Sequence, residues 1–105
     1  VGWWRENERV TRPQPLDDPT IAARLAGLEG WTRDGDAIRK EYTCGGFADA
    51  IAFVVRIGFL AEAADHHPDI DVRWRKVTIA LSTHDAGGLT TLDFDLAGRI
   101  DEVSS

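Results

Sequence analysis

Residues 65–84 read DHHPDIDVRWRKVTIALSTH, and the fold turns on how this stretch pairs. Ile70, Val72 and Trp74 alternate with Asp69, Asp71 and Arg73, the period of a strand with one buried face. Val77, Ile79 and Leu81 repeat that alternation in a second strand running to Thr83. Only Arg75-Lys76 separates the two, so they form an antiparallel hairpin, although its turn lacks the favoured Asn-Gly or Asp-Gly chemistry. With Trp74 opposite Val77, His67 falls opposite His84 and Asp69 opposite Ser82. The apolar residues then share one face, and both histidines lie on the other. Cross-strand neighbours have Cβ atoms about 5 Å apart, so the two imidazoles can flank one small molecule. His66 sits where the preceding segment bends into the hairpin, and Glu62 lies one helical turn before it. A bend plus a hairpin therefore gathers three imidazoles around one cleft.

Upstream of this stretch, Phe47–Ala64 is the longest apolar segment and reads as a helix. Phe47, Ile51, Val54, Ile57 and Ala61 form its sheet-facing stripe. Phe53 and Leu60 lie on another side, which a helix keeps apolar when it has a second surface to meet. Earlier still, Asp18-Pro19 caps a helix carrying Ile21, Leu25 and Leu28, and Gly30 ends it. Trp31 opens a short strand, Asp34-Gly35-Asp36 turns, and Ala37–Thr43 returns with Ile38 and Tyr42 on one face. Downstream, Gly87-Gly88 is a loop, and Thr90 with Asp93 three residues later forms a capping box. Leu92, Leu96, Ile100 and Val103 are the buried face of the helix it opens. The order α-β-β-α-β-β-α predicts an α+β domain: a four-stranded antiparallel sheet with three helices packed on one face. Residues 1–15, which contain Trp3 and Trp4 and end in two prolines, read as an irregular arm before a domain over 16–105.

The chain has 105 residues, 43% of them hydrophobic and 29% charged, which fits one soluble globular domain. A net charge of −6 argues against nucleic acid and anionic membrane surfaces, because no basic stripe meets phosphates. The one cysteine, Cys44, excludes a disulfide framework and multi-cysteine zinc motifs. No apolar run approaches the roughly 20 residues of a membrane span, and no signal-peptide core opens the chain. The expected compartment is the cytoplasm. Three imidazoles can hold zinc, but their spacing matches no familiar zinc motif. On these grounds alone Asp93 is a helix cap and Trp74 a core or interface residue.

The spacing also carries a resemblance. Glu62, three residues, His66-His67-Pro68, five residues, Trp74, nine residues, His84, eight residues and Asp93 resembles the signature of the pterin-4a-carbinolamine dehydratases. The stretches HHPDIDVRW and STHDAGGLT and the Gly30-Trp31 pair resemble the same family, over about residues 16–103. The resemblance implies the same α-β-β-α-β-β-α fold, and a homodimer or homotetramer built through sheet edges and helices. It implies dehydration of a 4a-hydroxytetrahydropterin to the quinonoid dihydropterin, which regenerates the cofactor spent by aromatic amino-acid hydroxylases. The substrate-binding segments implied are Asp65-His66-His67 and Ser82-Thr83-His84, with Glu62 and Asp93 orienting an imidazole or biasing its charge. His66, His67 and His84 are the implied catalytic groups. Imidazole, with a pKa near about 6.5, can deliver a proton to the leaving hydroxyl or take one from a ring nitrogen. No metal or cofactor is needed, since the nitrogen lone pair expels the hydroxyl. Two alternatives stand beside this: a binding or assembly-factor module, as in Rubisco assembly proteins of this fold, and a metal-dependent hydrolase.

Overall fold

The computed structural model describes residues 13–104. Trp3, Trp4 and most of the arm lie outside the described residues. The elements are α1 (Asp18–Ala26), β1 (Thr32–Asp34), β2 (Ala37–Thr43), α2 (Phe47–Ala64), β3 (Asp69–Arg73), β4 (Lys76–Leu81), a 3-10 turn (His84–Ala86) and α3 (Thr91–Glu102). The α-β-β-α-β-β-α order and the antiparallel sheet are as the sequence implies. The strands lie in the order β1-β2-β4-β3.

α1 starts one residue earlier than expected. Asp17, not Asp18, is the cap, its carboxylate accepting the Thr20 N–H at 3.0 Å. Hydrogen bonding from the Thr20 side chain first, and from its backbone N–H second, holds the Asp17 carboxyl below its ordinary value. The helix ends at Gly27 rather than Gly30. Gly30 instead adopts φ +86, where a Cβ would meet the Lys40 Cε at 2.9 Å. Its bareness lets the Lys40 stem cross to the Glu29 carbonyl and the Asp101 carboxylate.

The hairpin register differs from the expected one. Val72 pairs with Val77 and Asp69 with Ala80, so the turn is Trp74-Arg75. The reason lies in the neighbouring ladder. β4 is a central strand, and its pairing with β2 includes Thr43 opposite Lys76, which removes Lys76 from the turn. Trp74 must then take a left-handed conformation, φ 55, at a cost of about 1–2 kcal/mol. It is 66% exposed rather than part of the core, and the Arg75 guanidinium lies 4.9 Å from its ring. Arg75 ties the tip down, its carbonyl accepting the Cys44 N–H at 2.8 Å.

One face of the sheet carries Ile38, Tyr42, Val77, Ile79 and Leu81, all buried. Against it pack Ala50, Phe53, Ile57 and Ala61 of α2, Phe94, Leu96, Ala97 and Ile100 of α3, and Ile21 of α1. The opposite face is polar, with Arg39, Glu41 and Asp71 exposed. The expected stripe on α2 holds only in part. Phe53 is core, edge-on to Tyr42 at 4.8 Å, while Phe47, Ile51, Val55 and Phe59 face outward. α2 is apolar on two sides, as read: Ile57 and Ala61 of the expected stripe are core and Val54 packs against it, but Phe53 and Leu60 join them while Phe47 and Ile51 turn outward. At the C-terminal end of α3, Asp101 joins the layers. Its carboxylate accepts from Trp31 Nε1 at 3.1 Å, Lys40 Nζ at 2.8 Å and the Tyr42 hydroxyl at 2.5 Å.

Candidate active site

The site begins where α2 stops. Asp65 is left-handed, φ 50 and ψ 44, and the cap closes with the His66 N–H donating to the Ala61 carbonyl at 3.0 Å. Reversing the chain at this point sends the next two side chains opposite ways. His66 goes inward and is 6% exposed. His67 goes outward, its side chain 61% exposed, with Nε2 at 2.9 Å from the Glu62 carboxylate.

Inside, His66 Nε2 lies 2.6 Å from Asp93 Oδ1. Asp93 has no exposed surface, so its charge depends on the donors around it. Its Oδ2 accepts the Thr83 hydroxyl at 2.8 Å and the Thr90 backbone N–H at 2.9 Å. The second of these is half of the capping box that starts α3. Asp93 is thus the cap that the sequence predicts and also the partner of a buried histidine. One carboxylate secures the helix and orients the ring.

Outside, the chain leaves β4, turns at His84–Ala86 and returns through a bridge between Thr83 and Gly88. His84 is exposed on this turn. It shares with His67 a cleft of about 340 Å³, at the small end of ligand-site volumes. Ser82, Leu81, Ala80, Asp69 and Gly87-Gly88 line the cleft, and the β1–β2 turn contributes Asp34, Asp36 and Ala37. The lining pairs two titratable rings with three carboxylates, a surface suited to a donor-rich, uncharged or cationic heterocycle.

Three expectations change here. Two imidazoles line the cleft, not three, because His66 lies in the interior with Asp93. His67 and His84 meet across the cleft without being paired in the ladder, which ends at Asp69 opposite Ala80. Thr83 turns its hydroxyl into the buried network, whereas Ser82 lines the cleft. Asp34, Asp36 and Asp69 were not singled out as site residues. Only the strand order, which sets the β1–β2 turn beside the end of β4 through Ile38 opposite Leu81, reveals the first two. Among the described residues no three His, Cys, Asp or Glu side chains converge as a metal-holding group.

A profile of the family described as pterin 4 alpha carbinolamine dehydratase matches residues 14–103. The chain belongs to that family. A Roseiflexus castenholzii protein bearing the name "Putative pterin-4-alpha-carbinolamine dehydratase" is 65% identical over 88 residues, 84% of this chain and 95% of its own length. A protein of the same name from Mycobacteroides abscessus is 56% identical over 86 residues, 82% and 92% of the two chains. Among solved structures, a transcriptional coactivator/pterin dehydratase from Brucella melitensis superposes with a TM-score of 0.85 at 26% identity. It covers 88% of this chain and 100% of its own. A pterin dehydratase-like protein identified as a RuBisCO assembly factor in the alpha-carboxysome reaches 0.59 at 22% identity, over 71% and 87% of the chains. That second likeness is one of fold alone. Dehydratases of this family and a Rubisco assembly factor thus share one architecture, and no described helix is long and apolar enough to cross a membrane.

Proposed function

We propose that this chain dehydrates a 4a-hydroxytetrahydropterin to the quinonoid dihydropterin, with histidines as general acid and base. The observation that carries the reading is the meeting of His67 and His84 on one small cleft, above a His66 that Asp93 holds in place. Elimination of water breaks the carbon–oxygen bond at C4a. The lone pair of the adjacent ring nitrogen forms the new C=N bond, and the hydroxyl leaves with a proton from an imidazole. A second imidazole takes the proton that the ring nitrogen sheds. Atoms and charge balance without a metal or cofactor. Glu62 accepts from His67 Nε2 in the tautomer that carries its proton there, which orients that ring at the rim. Family membership supplies the substrate class, and the reaction would regenerate a pterin cofactor spent by a hydroxylase. The exposed stripe Phe47, Ile51, Val55 and Phe59 is large for a free surface, and it supports a homo-oligomer formed through α2. The competing reading, a binding or assembly module, draws on that same stripe. The full set of three histidines favours catalysis over it. The test is turnover of synthetic 4a-hydroxytetrahydropterin, followed by the appearance of quinonoid product. A rate equal to the spontaneous one would reject the enzyme and leave the binding module.

A further inference from the structure

The buried end of the site contains two hydroxyls, Thr83 and Thr90, that the dehydration itself does not use. Their bonds can be assigned by counting protons. Thr90 Oγ1 accepts the Leu92 N–H at 3.2 Å and lies 2.8 Å from Thr83 Oγ1. Thr83 Oγ1 lies 2.8 Å from Asp93 Oδ2. A carboxylate only accepts, so Thr83 must give its single proton to Asp93. Thr90 must then donate to Thr83, and the chain runs one way, from Thr90 through Thr83 to Asp93 Oδ2. The Thr90 backbone N–H supplies that oxygen's second donor.

The two donors on Oδ2 leave Oδ1 to His66 alone. The 2.6 Å contact then closes with the proton on His66 Nε2. The other ring nitrogen, Nδ1, has no hydrogen bond in the described structure. Among the described residues the Arg75 Nε is the one buried side-chain polar atom without a partner. His66 Nδ1 is not among the buried unpartnered atoms of the described residues. We propose that Thr83 and Thr90 are positioning residues: their hydroxyl chain holds the Asp93 carboxylate in place and, through it, fixes His66 as the Nε2–H tautomer, which leaves Nδ1 as the bare, accepting nitrogen. This assigns Thr83 a role through Asp93 rather than through substrate. Its consequence for turnover rests on the dehydratase reading, but the tautomer does not.

The test is long-range proton–nitrogen NMR of the full chain labelled with 15N-histidine. The wild type is expected to show His66 protonated on Nε2 and bare on Nδ1 near neutral pH. An Nδ1–H tautomer in the wild type would overturn the proposal without any variant. Thr83→Val, which keeps the shape and removes the hydroxyl, is expected to let the Nδ1–H form appear. Thr83→Ser is expected to restore the wild-type pattern. Turnover in Thr83→Val should fall on the order of tenfold, the scale of losing an orienting partner, in kcat with KM held. A folded Thr83→Val with unchanged His66 nitrogen shifts defeats the chain. If Thr83→Val does not fold, Thr90→Ser and Thr83→Ser carry the comparison, and an altered tautomer in either counts against it. An inactive wild type with the predicted tautomer would reject the dehydratase and leave the chain standing.

Discussion

Asp101 offers the cleanest measurement of what fastens α3 to the sheet. Replacing it with alanine removes the acceptor from three donors. Trp31 and Tyr42 are 5% and 9% exposed, so their N–H and O–H are left with little access to water. Each such orphaned group costs about 1–3 kcal/mol. Lys40 keeps the Glu29 carbonyl at 2.9 Å and adds little. Asp101→Ala should therefore lose about 2–6 kcal/mol, a large part of the 5–15 kcal/mol typical of a domain. Asp101→Asn keeps an acceptor but not the charge, and should lose about 1–2 kcal/mol. The same contact predicts a pH response. Burial first, and the hydrogen bond to Asp101 second, raise the Tyr42 hydroxyl well above its ordinary value. A raised folded-state value means the stabilisation is complete below the unfolded pKa, about 10. It declines as pH climbs above that point, because the unfolded chain ionises and the folded one does not. Tyr42 is the only tyrosine of the chain, so the difference between wild type and Tyr42→Phe isolates it. Urea unfolding followed by circular dichroism at pH 7.5 and pH 10.5 is the assay. An Asp101→Ala loss under about 0.5 kcal/mol, or parallel alkaline losses in wild type and Tyr42→Phe, would refute the reasoning.

Further outcomes are expected at the site and on α2. His67→Ala and His84→Ala should each lower turnover by roughly 100-fold and change stability by less than about 1 kcal/mol, since both are exposed. Near-normal turnover in either would remove that residue from the mechanism. His66→Ala should in addition lose about 1–3 kcal/mol, because it takes the donor from buried Asp93 Oδ1; chemical denaturation decides this, and wild-type stability would contradict the pairing. Dialysis against a chelator should leave turnover unchanged, and activity that vanishes and returns with zinc would revive a metal mechanism. Phe59→Asp should weaken self-association in sedimentation at micromolar concentration. Phe53→Asp should instead unfold the subunit, since that ring is core.

What the sequence disclosed was local in origin. The span of α2, the β2 strand and the Thr90–Asp93 cap depend on periods and pairings within a few residues, and each is found where the sequence puts it. What it concealed depended on distant partners. α2 is apolar nearly all round, so the phase of its buried stripe is chosen by the surface it meets, where Tyr42 packs on Phe53. The hairpin was aligned from β3 and β4 alone, whereas the pairing of Thr43 with Lys76 fixed its turn. The inward course of His66 needed the left-handed Asp65, which no periodic pattern announces. The cleft residues Asp34 and Asp36 were legible only as a turn, because their nearness to His84 follows from the strand order. The hairpin pattern and the family likeness both pointed to the histidines, but neither told which of them stands in the interior.

α3 carries two anchored carboxylates, Asp93 at one end and Asp101 at the other. Eight residues of helix separate them by about 12 Å and set them about 80° apart around the axis. Asp93 must meet His66 and Thr83, while Asp101 must meet Trp31, Lys40 and Tyr42. The helix therefore works as a ruler with two fixed marks. Adding or deleting one residue between them turns one mark by about 100° relative to the other, and no rigid shift of the helix restores both. Within Phe94–Ile100 the exposed letters, Asp95 and Arg99, are open to change, but the number of letters is not. Length variation in this part of the chain has to fall outside the two marks.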